Sequence, residues 1–281
     1  MIALTVATLL VGISLGLLGG GGSILMVPLL AYGAGLPARE AIATSLLVVG
    51  ATSAVAMVGH ARERRVDWRV GGLFGLASMG GAFVGGKIAH RLPASALLAA
   101  FTVVMFVTAF AMMRKRPATP SEARAASPTV AAGVGVFAGL LAGLVGAGGG
   151  FVIVPALVLF AGLPVRTAVG TSLLVITMSS FAGFASAVGS VSIDWHLAQP
   201  LLVAAPVGGA LGVILSARVS PEGLRKGFAW LVLAVATFTA AKQIPRGLWG
   251  LLSGHALPAA ALALAAGLVL LGASRVVRSA A

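Results

Sequence analysis

Displaced by 127 positions, the chain overlays itself without a gap. Gly16-Leu17-Leu18-Gly19-Gly20-Gly21-Gly22 falls on Gly143-Leu144-Val145-Gly146-Ala147-Gly148-Gly149, and Val27-Pro28 falls on Val154-Pro155. Gly35-Leu36-Pro37 matches Gly162-Leu163-Pro164, Arg39 matches Arg166, and Thr44-Ser45-Leu46-Leu47 matches Thr171-Ser172-Leu173-Leu174. Between residues 16–47 and 143–174, 18 of 32 positions are identical. An apolar composition yields chance matches of Leu and Ala, but not of Pro, Arg and Thr-Ser. Further on, Asp67-Trp68 matches Asp194-Trp195, Gly81 matches Gly208, Gly85 matches Gly212 and Arg91 matches Arg218. The fold must therefore hold two copies of one unit.

The medium of that fold follows from composition. Apolar residues make up 59% of the 281 positions, charged residues 9%, and the mean hydropathy is +1.09. A soluble domain carries about 25% charged residues, so the surface of this chain faces lipid. Ala41–Gly59, Val70–Ala89, Ala94–Met113 and Glu222–Ala241 each approach the ~20 residues that cross a bilayer as a helix. The net charge of +13 comes from Lys and Arg in short loops and at span ends, an orientation signal and not a nucleic-acid surface. Cysteine is absent and the four histidines show no ligand spacing, so no disulfide, metal or cofactor is expected. The apolar stretch Met1–Gly19 lacks a basic leader and a small-residue cleavage site, and is expected to be mature structure.

Each unit has the same plan. An apolar helix (Ile2–Leu18; Val130–Val145) enters a glycine cluster, and a segment too short for a perpendicular span follows (Ile24–Leu36; Phe151–Leu163). Pro-x-Arg then opens three full spans. The loop His60–Arg69 carries four arginines, whereas its counterpart Ala187–His196 has no Lys or Arg, which implies copies of opposite orientation. The expected fold is all-α and polytopic: two inverted repeats, each a Gly-broken hairpin plus three spans, with one extra C-terminal span. The units are residues 1–113, a cytoplasmic linker 114–129, residues 130–245, and a terminal span and tail 246–281. Placing the basic loops inside puts the N-terminus outside and the C-terminus in the cytoplasm. Broken segments at matched positions of inverted halves mark the binding site in many secondary transporters.

Candidate binding residues follow from that plan. Gly20, Gly21, Gly22 and Ser23, with Gly148, Gly149 and Gly150, would expose backbone N–H groups that favour an anion. The same glycines also serve a tight turn and close packing. Thr44, Ser45, Thr171 and Ser172 offer hydroxyls for a polar path, or for bonds back to their own helix. Arg39 and Arg166 are symmetric cations, suited to attracting an anion at either mouth or to anchoring at headgroups. Lys87, which Ile214 matches, fits an interface position. Asp67 and Asp194 suit helix N-caps, with proton or cation coupling as the alternative role. No carboxylate lies at mid-span, and no nucleophile–base pair supports an enzyme.

The paired G-L-x-G-x-G-G…V-P and G-L-P-x-R-x-A-x-x-T-S-L-L blocks resemble the TauE/SafE family of sulfite exporter-like (TSUP) permeases, over nearly the whole chain. The resemblance implies an inner-membrane permease that moves small, often sulfur-containing anions such as sulfite or sulfoacetate, usually outward. Its expected partners are that anion and the lipid bilayer, with proton coupling or downhill exit as energy sources. Alternating access at a midplane site between the glycine tips is the expected mechanism. An anion channel with re-entrant glycine loops is the alternative.

Overall fold

The computed structural model describes residues 2–89, 128–145, 150–159, 161–187 and 191–220, with scattered positions from 91 to 110, at 189, and from 222 to 240. Every regular element among them is helical. Helix α1 (Ile2–Leu18) gives way to a 3-10 run (Gly19–Leu25), a single turn α2 (Met26–Pro28) and a π turn (Leu29–Gly33). Then come α3 (Ala38–Arg62), α4 (Trp68–Ala89), α5 (Pro128–Val145), α6 (Gly150–Leu159), α7 (Val165–Ala187) and α8 (Trp195–Ser216). Helices α3, α4, α7 and α8 are long and apolar enough to cross a membrane. The spans expected at Ala94–Met113 and Glu222–Ala241 are described only at scattered positions, all helical. Linker residues 114–127 and the expected span Ala256–Gly272 lie outside the described residues.

Local chemistry sets the boundaries. Gly19, at φ +67°, breaks α1 with a left-handed residue that glycine alone adopts without strain. The chain then turns back: Gly22 packs on Leu15 and Gly33 lies near Leu4, so residues 19–33 retrace α1. Matched turns close both short segments. Leu36 N–H donates to Leu30 O at 3.1 Å, as Leu163 N–H does to Leu157 O at 3.1 Å. Asp194 caps α8 by accepting from the N–H groups of His196 and Leu197. Asp67 accepts from Arg69 and Val70 N–H at the start of α4 in the same way.

Glycine positions carry the packing. Gly12 and Gly16 of α1 press on the carbonyls of Ala205 and Gly209 in α8, while Gly208 and Gly212 press on those of Leu9 and Ile13. Adding or subtracting 127 turns each contact into another that is also made. Gly139 and Gly143 of α5 meet Ser78 and Ala82 of α4, and Gly81 and Gly85 meet Val136 and Leu140. Each half thus lends its first helix to the third long helix of the other half. Residue numbers rise together across both contacts, so these pairs are parallel. Between the counterparts α3 and α7 they run oppositely, with Gly50 beside Ser180 and Phe181, and Leu46 beside Gly183.

The described interior is poor in aromatic side chains and rich in hydroxyls. Thr44, Ser45, Thr52, Ser53, Thr171, Ser172, Ser179 and Ser180 are buried, whereas Leu76, Phe83, Val203 and Ile214 are exposed. That distribution suits a bundle in lipid, where burial of apolar surface gives no advantage over lipid tails and close packing holds helices together. Trp68 and Trp195 stand exposed at matched helix starts, a position favoured at the membrane interface.

Backbone-on-backbone contact leaves no room for a side chain. Gly143→Leu is expected to lower stability by at least 1–3 kcal/mol, the range for overpacking, seen as a lower thermal midpoint in detergent. Gly80 has nothing within 4 Å of the place a methyl group would take. It should accept Ala with no loss and up to about 1 kcal/mol of gain from helix propensity.

Candidate functional site

The hairpin tips meet inside the bundle. Gly20 and Gly150 are in direct backbone contact, so that a Cβ on either would fall on the other. Both are buried. Gly19 sits against Ser172 and Val169 of α7. The glycines of the first tip are not irregular chain: Gly19–Leu25 form a 3-10 helix, whose ladder uses the N–H groups from Gly22 onward. Fewer amides face outward than an unwound loop would offer. Gly21 lies within this run, and Gly22 is packed on Leu15. Gly148 and Gly149 lie outside the described residues.

The hydroxyls largely serve the backbone. Ser23 Oγ donates to Gly20 O at 2.7 Å and Ser172 Oγ donates to Val169 O at 2.7 Å. Thr171 Oγ1 accepts from Asp67 N–H at 2.9 Å, which docks the α3–α4 loop on the start of α7. Thr44 and Ser45 are buried in α3. Deeper in the long helices lie Ser53 and Ser180, a matched pair absent from the residues the sequence singles out. Both are fully buried, and neither Oγ has a hydrogen-bond partner among the described residues. The sequence does carry a signal, because the two serines fall on each other at the 127-residue displacement. Their small, apolar context gives them the look of ordinary helix packing.

The two arginines have different surroundings. Arg39 is exposed at the edge of a small cleft. Ile42 and Leu46 of α3, Gly86 and Ala89 of α4, Gly143 of α5, and Gly183 and Ala187 of α7 form the rest of its wall. One cation thus stands over an otherwise apolar and glycine-lined cleft. Arg166 is half-buried and donates from Nη2 to Val219 O at 3.0 Å. Beside it the basic loop folds over the bundle end: Arg65 Nη1 donates to Ser216 Oγ at 3.4 Å and pairs with Glu63 at 2.7 Å. His60 is buried under that loop, and its Nε2 donates to Gly16 O at 3.0 Å. Lys87 lies over the ring of the exposed Phe83, 4.7 Å from its centroid. Among the described residues no group of His, Asp and Glu could hold a metal.

Apolar spans wrapped around a hydroxyl-rich interior define a multi-pass membrane protein. The chain belongs to the TauE/SafE family: the model described as "Sulfite exporter TauE/SafE" matches residues 4–239. It is 35% identical over 238 residues to a probable membrane transporter protein of Xylella fastidiosa (strain 9a5c), covering 82% of this chain and 90% of that one. Similarity extends to the probable membrane transporter proteins YunE of Bacillus subtilis (strain 168), 28% identical over 79% of this chain and 90% of the relative, and MJ0441 of Methanocaldococcus jannaschii, 29% identical over 79% and 88%. No solved structure matches. Family and relatives alike indicate a membrane transporter and not an enzyme.

The cap geometry separates two roles for the aspartates. Asp194→Ala should cost about 1 kcal/mol through loss of the N-cap, and Asp194→Asn should restore nearly all of it, since Asn caps about as well as Asp. Thermal unfolding of the two variants in detergent checks this.

Proposed function

We propose that the protein is a secondary transporter of a small anion, working by alternating access between two inverted repeats. The observation that carries this reading is the one-sided cleft headed by Arg39, beside a bundle whose matched glycine breaks meet at Gly20 and Gly150. The antiparallel course of α3 and α7, which are counterparts, supports the inversion. Arg39 draws the anion to the cleft, where low polarity around it strengthens the attraction. The contact between Gly20 and Gly150 closes the way between the tips in this conformation. Passage then requires the halves to part there, exposing the amides of Gly20 and Gly21 on one side and that of Gly150 on the other. Ser53 and Ser180, buried without partners, supply hydroxyl donors to an anion at that depth.

Sulfite or an organosulfonate such as sulfoacetate is the proposed cargo, in line with the name of the family. Both are compact oxyanions that amide and hydroxyl donors can surround without a second fixed cation. With the arginine-rich loop 60–69 in the cytoplasm, the Arg39 cleft faces outward and the N-terminus lies outside. The structure then stands in the state from which an exporter releases its load. An inside-negative potential assists the exit of a net charge by about 2.3 kcal/mol per 100 mV.

A liposome flux panel of sulfite, sulfoacetate, thiosulfate, sulfate and carboxylates tests the proposal. Saturable flux of at least one sulfur oxyanion, accelerated by the same anion on the opposite face, is expected. Arg39→Gln should reduce that flux about tenfold, the equivalent of one lost charge-assisted hydrogen bond. Flux of none of these anions would overturn the cargo class, and flux that follows voltage without exchange would replace the carrier by a channel.

A further inference from the structure

The two mouths of the bundle are built from equivalent positions that carry side chains of different size. At the 127-residue displacement, Gly86 of the open cleft corresponds to Val213, Ala89 to Ser216, Gly183 to Ala56 and Ala187 to His60. In these four pairs the larger residue stands at the mouth beside Arg166, whereas at Ile42/Val169 and Ser186/Gly59 it stands at the cleft end. All eight residues are buried, so the two mouths differ in the size of the side chains that fill them and not in exposure. The imidazole of His60 occupies the place that corresponds to the empty space beside Ala187.

His60 is also clamped. A carbonyl only accepts, so Nε2 carries the proton and donates to Gly16 O. Gly16 is the counterpart of Gly143, which lines the open cleft. The plug therefore ties α3 to the arm of the broken hairpin. The loop above it adds Arg65 on Ser216 and the Asp67 N–H on Thr171, and Gly170 packs against the Arg65 carbonyl.

We propose that His60 is the built-in plug of the mouth beside Arg166, and that its absence at Ala187 holds the opposite mouth open at rest. This rests on the transporter reading above and adds to it a fixed inequality between the two facing states. The device works by volume and by the Gly16 bond. Opening the closed mouth and moving the first hairpin arm away from α3 become one event.

The chain has no cysteine, so single thiols report directly. Ala89→Cys places one in the open cleft and Ser216→Cys places one at its closed counterpart. The full chain in detergent micelles, with both ends reachable, is treated with the anionic reagent methanethiosulfonate ethylsulfonate. Ala89→Cys should react at least about tenfold faster than Ser216→Cys, because Ala89 lines the cleft whereas Ser216 lies under the loop that Arg65 holds and waits for local opening. Adding His60→Ala should bring the Ser216→Cys rate up to that of Ala89→Cys, and adding Ala187→His should slow Ala89→Cys. Equal rates in the two parent reporters would overturn the proposal. Should His60→Ala fail to yield folded protein, Ala187→His decides alone: slowed labelling supports the plug and an unchanged rate refutes it. Labelling needs no transported anion. A silent flux panel with this pattern intact removes the cargo and keeps the plug, while the reverse result removes only the plug.

Discussion

Close approach of glycine backbones at the α1–α8 and α4–α5 crossings is the constraint on which the rest of the architecture depends. In lipid there is no gain from hiding one apolar side chain against another, so helices associate through contact area and polar bonds. Here glycine faces carbonyl on both sides of each crossing, four residues apart, in register. The arrangement fixes the parallel course of each pair. It also brings α1 to its place beside α3, where Gly16 offers its carbonyl to His60. The cleft at Arg39 lies at the end of the equivalent crossing, where Gly143 packs on Ala82 and Gly86 meets Ser186. Fold, plug and pocket all stem from one repeated spacing of small residues.

Much of this is legible in the sequence, because the repeat acts as its own alignment. Helix α1 is expected over Ile2–Leu18 and observed there, and the spans expected at Ala41–Gly59 and Val70–Ala89 form the bodies of α3 and α4. Asp67 and Asp194 take the capping geometry that their place before Trp implies. The return arm is harder to read. Residues 19–33 have the glycine and apolar content of an unwound loop, yet the backbone runs through 3-10, α and π turns, since a segment inside a bundle must bond its own amides. Composition shows that a break occurs but not which helical ladder replaces the regular one.

The side chains of the site are only half legible, for a different reason. A repeat reveals what two copies share, whereas the site depends also on where they differ. Arg39 and Arg166 stand in the same Gly-Leu-Pro-x-Arg-x-Ala pattern, yet one borders a cleft and the other reaches the carbonyl of Val219. His60 reads as one more member of a basic loop, because its partner is a main-chain oxygen 44 residues earlier, invisible to any local pattern. Ser53 and Ser180 match each other in sequence, but their lack of a partner is a property of packing.

The exchange of first helices between halves bears on biosynthesis. Gly12 meets its partner Ala205 only after a further stretch of about 190 residues has been made, on the order of ten to forty seconds at usual synthesis rates. The other exchanged pair, α4 and α5, is complete far sooner. During that interval the glycine stripe of α1 has no native neighbour, and its hydroxyl Thr8 sits on a helix facing lipid or insertion machinery. Nascent chains of this architecture therefore pass through a stage with one crossing made and the other open.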